Sequence, residues 1–470
     1  MRFTAIILLF FIKTTFVGAS DFQILIEAKF PGAQGQTVRL KEYVDQISYR
    51  EAEITSAVVD ETGAFQLRFS RFEAQYVFFR IDHARMGFFV EPGKNYQLVF
   101  DEVDFNLLDD TRNPYLEPWY FPYTIKKPEK ELNYHINRFD VIFEEFLVAN
   151  FATIHRSRNR QLFFSFKQQM DSVFEGVENP YFRNYYKYKF ANYFRAANIQ
   201  GSNTLKRDYI FNKPVLYQNT QYMNFFNTVF DTYIFAGSRN ITISDLRHTV
   251  NTLNSYDALM DSLGKDTLLR NEVLREVVML KALKDMHANP EYRQTNVKSI
   301  LEHVTIHSKF PRHRTIAENI LYNAYHLTPG TVAPNINLSN SEVGEISIPQ
   351  ELEEKFIYLS FWATWCETCF LDQIAINELY AKYKEDFIFI SISTDRHKKD
   401  FQQFMATNPT PWLNFHFDHD FRLLDSYGVK SLPLFVIIGP DGKVISYPAL
   451  RPEENIARTF DWLLYQRKRQ

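Results

Sequence analysis

Two cysteines occur in the 470 residues, Cys366 and Cys369, within Trp365-Cys366-Glu367-Thr368-Cys369. Thiols spaced this way can pass between dithiol and disulfide. A bridge closing so small a loop removes little entropy from the unfolded chain, whereas disulfides kept for stability join distant segments. The spacing therefore points to a pair kept for its reactivity. Other uses of the pair compete with that reading. Structural zinc wants four ligands, and His397, His416 and His419 lack ligand spacing to the pair. Haem attachment wants a histidine directly after the second cysteine, where Phe370 stands. An inert short-loop disulfide is the remaining alternative. Neither a metal nor an organic cofactor is expected.

The chemistry depends on the elements that hold the pair. Phe356–Phe361 is an apolar run that predicts a strand leading straight into the motif. An amphipathic helix follows, with Leu371, Ile374, Ala375, Leu379 and Tyr383 assigned to its buried face. Cys366 then stands at the helix N-terminus, where unpaired N–H groups and the positive end of the macrodipole favour thiolate over thiol. It is the expected nucleophile. Cys369, one turn further in, is the expected resolving thiol. Glu367 and Thr368 are the residues that tune the couple. The negative charge of Glu367 beside the thiolate favours the disulfide form and a reducing site. Asp372 follows Cys369 by three residues and has two readings: a proton acceptor for Cys369, or an exposed first-turn carboxylate favoured by the dipole. Ser360, in the strand, supplies no base.

The rest of the chain reads as several domains. Hydrophobic residues make up 45% and charged residues 23%, with net charge −3 and no basic block, which excludes an ordinary nucleic-acid surface. Residues 1–19 read as a signal peptide: Arg2, the apolar run Ala5–Ile12, then Val17-Gly18-Ala19. The corresponding location is the periplasm or cell envelope, with an uncleaved anchor as the alternative because Lys13 interrupts the run. Residues 20–125 alternate with period two, as in Phe22–Ala28, Phe65–Phe69 and Tyr96–Phe100, and predict an antiparallel β domain. A proline-dotted connector runs from Asn113-Pro114 through Lys127-Pro128. Residues 126–328 switch to helical periodicity, as at Phe139–Phe146 and at Leu269, Val273, Val277, Val278 and Leu280. The aromatic stripe Tyr181, Phe182, Tyr185, Tyr186 and Tyr188 is read as helix packing, with a client groove as the alternative. Residues 329–470 alternate strands with helices, and Gly439-Pro440-Asp441-Gly442 predicts a hairpin. The fold class is multidomain α+β, with a C-terminal α/β domain.

Phe361-Trp362-Ala363-Thr364-Trp365-Cys366-Glu367-Thr368-Cys369 resembles the active site of thioredoxins, in particular their TlpA/ResA-like branch. Ala333-Pro334-Asn335-Ile336-Asn337-Leu338 resembles the entry to that domain, and Val429-Lys430-Ser431-Leu432-Pro433 its cis-proline loop. The resemblance spans roughly residues 330–466. It implies a thioredoxin-like fold and thiol–disulfide exchange with disulfide-bearing client proteins, with re-reduction by a membrane electron donor. By the same resemblance Pro433 is cis, and Trp365, Leu432 and Pro433 contact substrate. Asp372 stands where the family carries a buried acid. The strand and helix of about 387–407 correspond to an insertion of this branch. Thr368, Ile374 and Leu434 depart from the family pattern of proline, proline and threonine, which bears on potential and substrate. The β-rich segment also resembles modules preceding such domains in envelope proteins. Two further functions compete with disulfide reduction. One is a client- or glycan-binding scaffold with an accessory thioredoxin-like domain, and the other is a disulfide-forming or isomerising enzyme.

Overall fold

The computed structural model describes residues 22–81, 84–105, 119–126, 131–155, 160–231, 233–340, 344–348 and 354–469. The signal-peptide reading and most of the proline-dotted connector lie outside them. By backbone packing the described chain forms two compact units. One holds the residues up to Val103 together with Tyr120–Asp231, and the other holds Asp104, Phe105, Trp119 and the remainder.

In the first unit, β1 (Gln23–Lys29), β2 (Thr37–Tyr43), β3 (Glu51–Val58), β4 (Ala64–Ser70), β5 (Gln75–Ile81), β6 (Ala84–Val90), β7 (Asn95–Phe100) and β8 (Tyr123–Ile125) build two four-stranded sheets. Their orders are β4-β1-β7-β8 and β3-β2-β5-β6. The period-two alternation is visible in what is buried: Ile24, Ile26 and Ala28 on β1, and Met86, Phe88 and Val90 on β6. Pairing is antiparallel except between β1 and β7, which run parallel because the chain visits the other strands before returning to the edge of β1. Five helices follow: α1 (Leu132–His155), α2 (Arg160–Val173), α3 (Pro180–Ala196), α4 (Ser202–Tyr209) and α5 (Thr220–Val229). All five residues of the tyrosine-rich stripe are buried on α3. Phe139 and Phe143 of α1 pack edge-on against rings of α3. That is the packing use of the stripe, made by large rings that fill space between helices.

The second unit contains, after a π-helical turn at Tyr233–Gly237, α6 (Ile243–Arg247), α7 (Tyr256–Gly264), α8 (Glu272–His287), α9 (Gln294–His307) and α10 (Pro311–Tyr325). The run expected to be continuous from Leu269 is broken. Leu269 closes a short 3-10 turn, and Asn271 caps α8 by accepting from Leu274 N–H.

The C-terminal part contains β9 (Ile336–Asn340), β10 (Gly344–Ile348), β11 (Phe356–Trp362), α11 (Glu367–Tyr383), β12 (Phe387–Ser393), α12 (Lys398–Thr407), β13 (Leu413–His416), α13 (Phe421–Ser426), β14 (Leu434–Ile438), β15 (Val444–Ser446) and α14 (Ile456–Arg467). Its five-stranded sheet has the order β13-β12-β11-β14-β15. β11 is parallel to β12 and antiparallel to β14. All seven residues of β11 are buried, as expected of a central strand covered on both faces. Ile357, Leu359 and Phe361 face one core with Ile390, Ile392 and Val436, while Phe356 and Tyr358 face a second with Ile376, Phe389 and Phe460. The sheet thus presents the C-terminal end of β11, which runs into the cysteine motif. β12 pairs along its whole length with β11 and carries β13 on its other side, so it is a core strand and not an appended one. The hairpin at Gly439–Gly442 joins β14 to β15 as expected.

The buried face of α11 differs from the sequence expectation. Leu371 and Ile374 are exposed at 47% and 53%, and the buried residues are Cys369, Asp372, Gln373, Ile376, Leu379 and Tyr383. Apolar residues lie nearly all round this helix, so hydrophobicity alone does not choose a face. Polar partners choose it: Gln373 Nε2 donates to Ser391 Oγ at 3.4 Å, and Asp372 has a cation waiting.

Candidate active site

Cys366 is the N-cap of α11, in extended backbone (φ −89°, ψ 100°), and its sulfur accepts from the Cys369 N–H at 3.2 Å. A thiolate at this position would take the same hydrogen bond, and the helix N-terminus would favour its charge. The two cysteines form a disulfide with their Cα atoms 5.2 Å apart. Cys366 keeps 7% of its surface and Cys369 1%, so the first is the more accessible sulfur. Thr368 Oγ1 lies 3.5 Å from Cys366 Sγ, while Glu367 is exposed in the first turn.

Trp362, Ala363 and Phe401 wall the pair, with Leu432, Phe404 and Met405 packed against them. The Leu432–Pro433 bond is cis. Leu434 then enters β14 opposite Phe361, so the loop carrying Pro433 and the strand leading to the cysteines are neighbours in the sheet. Beside the exposed Glu367 and Thr368, this end of α11 also exposes apolar residues: Trp365, Phe370, Leu371 and Ile374 are exposed at 38%, 40%, 47% and 53%.

Asp372 is not an exposed first-turn carboxylate. It is 1% exposed, its Oδ2 accepts from Arg451 Nε at 3.0 Å, and its Oδ1 is buried with no hydrogen-bond partner. Burial pushes its carboxyl above the usual range, the Arg451 guanidinium pulls it down, and the nearby Glu453 and Glu454 push it up again. The net direction is upward, toward a group that can hold or release a proton under mild conditions.

Asp395 and Arg451, which sequence reasoning passed over, complete the site together with His416. Asp395, fully buried just beyond β12, accepts from Thr364 N–H at 3.0 Å, from Thr364 Oγ1 at 2.8 Å and from Ser393 Oγ at 2.6 Å. It therefore fixes the turn that presents Trp365 and Cys366. His416, weighed as a zinc ligand, has both ring nitrogens engaged: Nε2 donates to the Asp395 carbonyl at 2.7 Å, and Nδ1 accepts from Asp418 N–H at 3.0 Å. Among the described residues no cluster of side chains has the makings of a metal site. The position of Asp395 at the C-terminal end of a buried strand was a usable signal. Arg451, 79 residues from Asp372, gave none.

Residues 354–444 match a family model described as thioredoxin-like. The chain is 34% identical over 121 residues to the thiol-disulfide oxidoreductase ResA of Bacillus thuringiensis (strain Al Hakam), a stretch that covers 25% of this chain and 66% of that protein. It is 28% identical over 134 residues to ResA of Bacillus subtilis (strain 168), covering 28% and 73%. Among solved structures, a putative thiol-disulfide oxidoreductase from Bacteroides vulgatus aligns with 26% identity and a TM-score of 0.27, covering 29% of this chain and 96% of that one. The solution structure of another from the same species aligns with 29% identity and a TM-score of 0.27, covering 30% and 92%. The chain spans 66% of the length of the first of these curated relatives, and the family-model match lies in its C-terminal part. That part, a strand–Cys-x-x-Cys–helix unit on a mixed sheet, is a thioredoxin-like domain. Its relatives by sequence are the ResA thiol-disulfide oxidoreductases, so the likeness is to the TlpA/ResA-like branch of the thioredoxins.

Proposed function

We propose that this protein is an exported thiol–disulfide oxidoreductase that reduces disulfides of envelope proteins through Cys366 and Cys369. The observation that carries the reading is the cysteine pair itself, with Cys366 capping α11 and the more buried Cys369 one turn behind it. Cys366 thiolate attacks a client disulfide. Cys369 then displaces the client thiolate and closes the internal disulfide. Trp365, Leu432 and Pro433 contact the client segment, and Glu367 and Thr368 tune the couple. Two electrons pass to the client, and a membrane donor restores the dithiol. Arg2, the run Ala5–Ile12 and Val17-Gly18-Ala19 support export. Among the described residues no helix is long and apolar enough to cross a membrane.

Trapping tests the reading. Cys369→Ser should accumulate Cys366-linked mixed disulfides with envelope proteins, released by a dithiol, and Cys366→Ser should accumulate none. Equal and negligible trapping by both variants would sink the proposal. The direction of electron flow is tested by equilibrium with glutathione. A reductase should be more reducing than about −180 mV, and a potential near about −120 mV would assign disulfide formation instead.

A further inference from the structure

Arg451 reaches α11 from the loop between β15 and α14. Hydrogen bonds fix that loop, and Ala449 N–H donates to the Phe435 carbonyl at 2.8 Å. Tyr358 OH donates to the Leu450 carbonyl at 2.8 Å, and Arg451 N–H donates to Glu454 Oε2 at 2.9 Å. With its backbone fixed, the side chain places Nε against Asp372 Oδ2 at 3.0 Å. The carboxylate is thereby divided. One oxygen is bound to a cation, and the other, Oδ1, is buried with no donor. An oxygen so placed is an acceptor in want of a proton.

We propose that Arg451 is a positioning residue for thiol exchange, which orients Asp372 and holds it ionised so that Oδ1 takes the proton of Cys369. The proposal rests on the reading that the pair exchanges disulfides. The step starts from a mixed disulfide between Cys366 and a client, formed by the dithiol protein. The Cys369 thiol gives its proton to Asp372, directly or through one water. Its sulfur bonds to Cys366 Sγ as the Cys366–client S–S bond breaks, and the client leaves as thiolate and takes a proton from solvent. The internal cysteines are oxidised by two electrons and the client is reduced by two.

The groups around Asp372 act in known directions. Tyr358 of β11 is buried, which keeps its phenol neutral. Glu453 and Glu454, in the 3-10 turn Pro452–Glu454, favour protonated Asp372, as burial does, and the Arg451 guanidinium opposes them. Without the guanidinium, Asp372 would hold its proton to higher pH and could not serve Cys369 near neutrality.

Rapid mixing of the reduced full chain with an aromatic nitrothiobenzoate disulfide separates the steps. The first thiolate released reports attack by Cys366, and the second reports resolution by Cys369. Arg451→Met should slow the second phase about tenfold near neutral pH for each unit by which the profile moves up, with recovery at alkaline pH. Arg451→Lys, which restores a cation, should recover most of the rate. In an Asp372→Asn background, Arg451→Met should change the second phase no further. A second phase with the wild-type profile in Arg451→Met, or an equal loss in the Asp372→Asn background, would overturn the proposal. Should Arg451→Met not fold, the exposed Glu453→Gln serves instead. It should move the profile to lower pH, and an unmoved profile overturns the proposal equally. Absence of any first phase in the wild-type chain is a different result, because it defeats the reading of the pair itself.

Discussion

At Asp372 the requirements of chemistry and of folding oppose each other. Its carboxyl is raised in the folded protein, chiefly by burial, so below the raised value the folded state holds a proton that the unfolded chain would release. Folding stability therefore falls as pH rises from the unfolded carboxyl value through the folded one, and above that window the ionised, buried group is a standing penalty. Asp372→Asn should raise the thermal midpoint of unfolding at alkaline and neutral pH, and the gain should shrink as the pH approaches the ordinary carboxylate range. The Arg451 side chain, 31% exposed, can return to water when its partner is lost, so the ion pair does not reverse the sign. Melting curves across that range decide the matter, and a midpoint lowered at every pH would show that the pair outweighs the burial. The sequence placed Asp372 one turn beyond Cys369 but could not choose between a buried acid and an exposed one. The choice lies in Arg451, and nothing local to the helix announces a partner 79 residues away.

At the scale of elements, local patterns carried most of the C-terminal domain. β11, α11, β12 and the β14–β15 hairpin lie where apolar runs, the N-cap cysteine and the Gly439–Gly442 turn put them. The errors have one physical source, which is that pairing is a property of space and not of spacing. On α11, Leu379 and Tyr383 are buried as the pattern predicts, but Leu371 and Ile374, which look like core residues, face out, whereas Gln373 is drawn inward by Ser391. β12 was read as part of an insertion because its neighbours on both sides are set only when the sheet assembles. Asp395 joins two such elements, since it ends β12 and holds the turn leaving β11. Asp395→Asn puts an amide donor where Thr364 N–H and two hydroxyl groups all donate. The amide oxygen can keep both Thr364 donors at the Oδ1 position, so the amide nitrogen faces the buried Ser393 hydroxyl, whose proton loses its acceptor at a cost of about 2 kcal/mol. Denaturant unfolding of the oxidised protein should show that loss, and a change below about 0.5 kcal/mol would mean that the turn is held by other means.

For the whole molecule, the question is how much of the chain the thioredoxin-like part needs. The reading from sequence begins that domain at residue 329, where helical texture gives way to strands. Its core begins earlier, because Leu327 is buried in the same cluster as Ile357, Phe361 and Tyr427. The segment after it is tied to the hairpin: Gly330 N–H donates to the Val444 carbonyl at 2.8 Å, and Ala333 N–H to that of Gly442 at 2.9 Å. Tyr427 OH closes the other side on the Pro334 carbonyl at 2.7 Å. A fragment of residues 326–470 keeps all of these, and one of residues 335–470 loses the buried Leu327 and Ala333 and the hydrogen bonds of Gly330, Ala333 and Pro334. Burial of a leucine side chain and of a methyl group contributes about 2–4 kcal/mol. The longer fragment should therefore unfold in one cooperative transition with thiol exchange intact, and the shorter one should unfold at a clearly lower denaturant concentration. Equal midpoints would place the boundary of the domain after Pro334. A longer fragment without a cooperative transition would show instead that the helices α6–α10 are needed for the domain to fold.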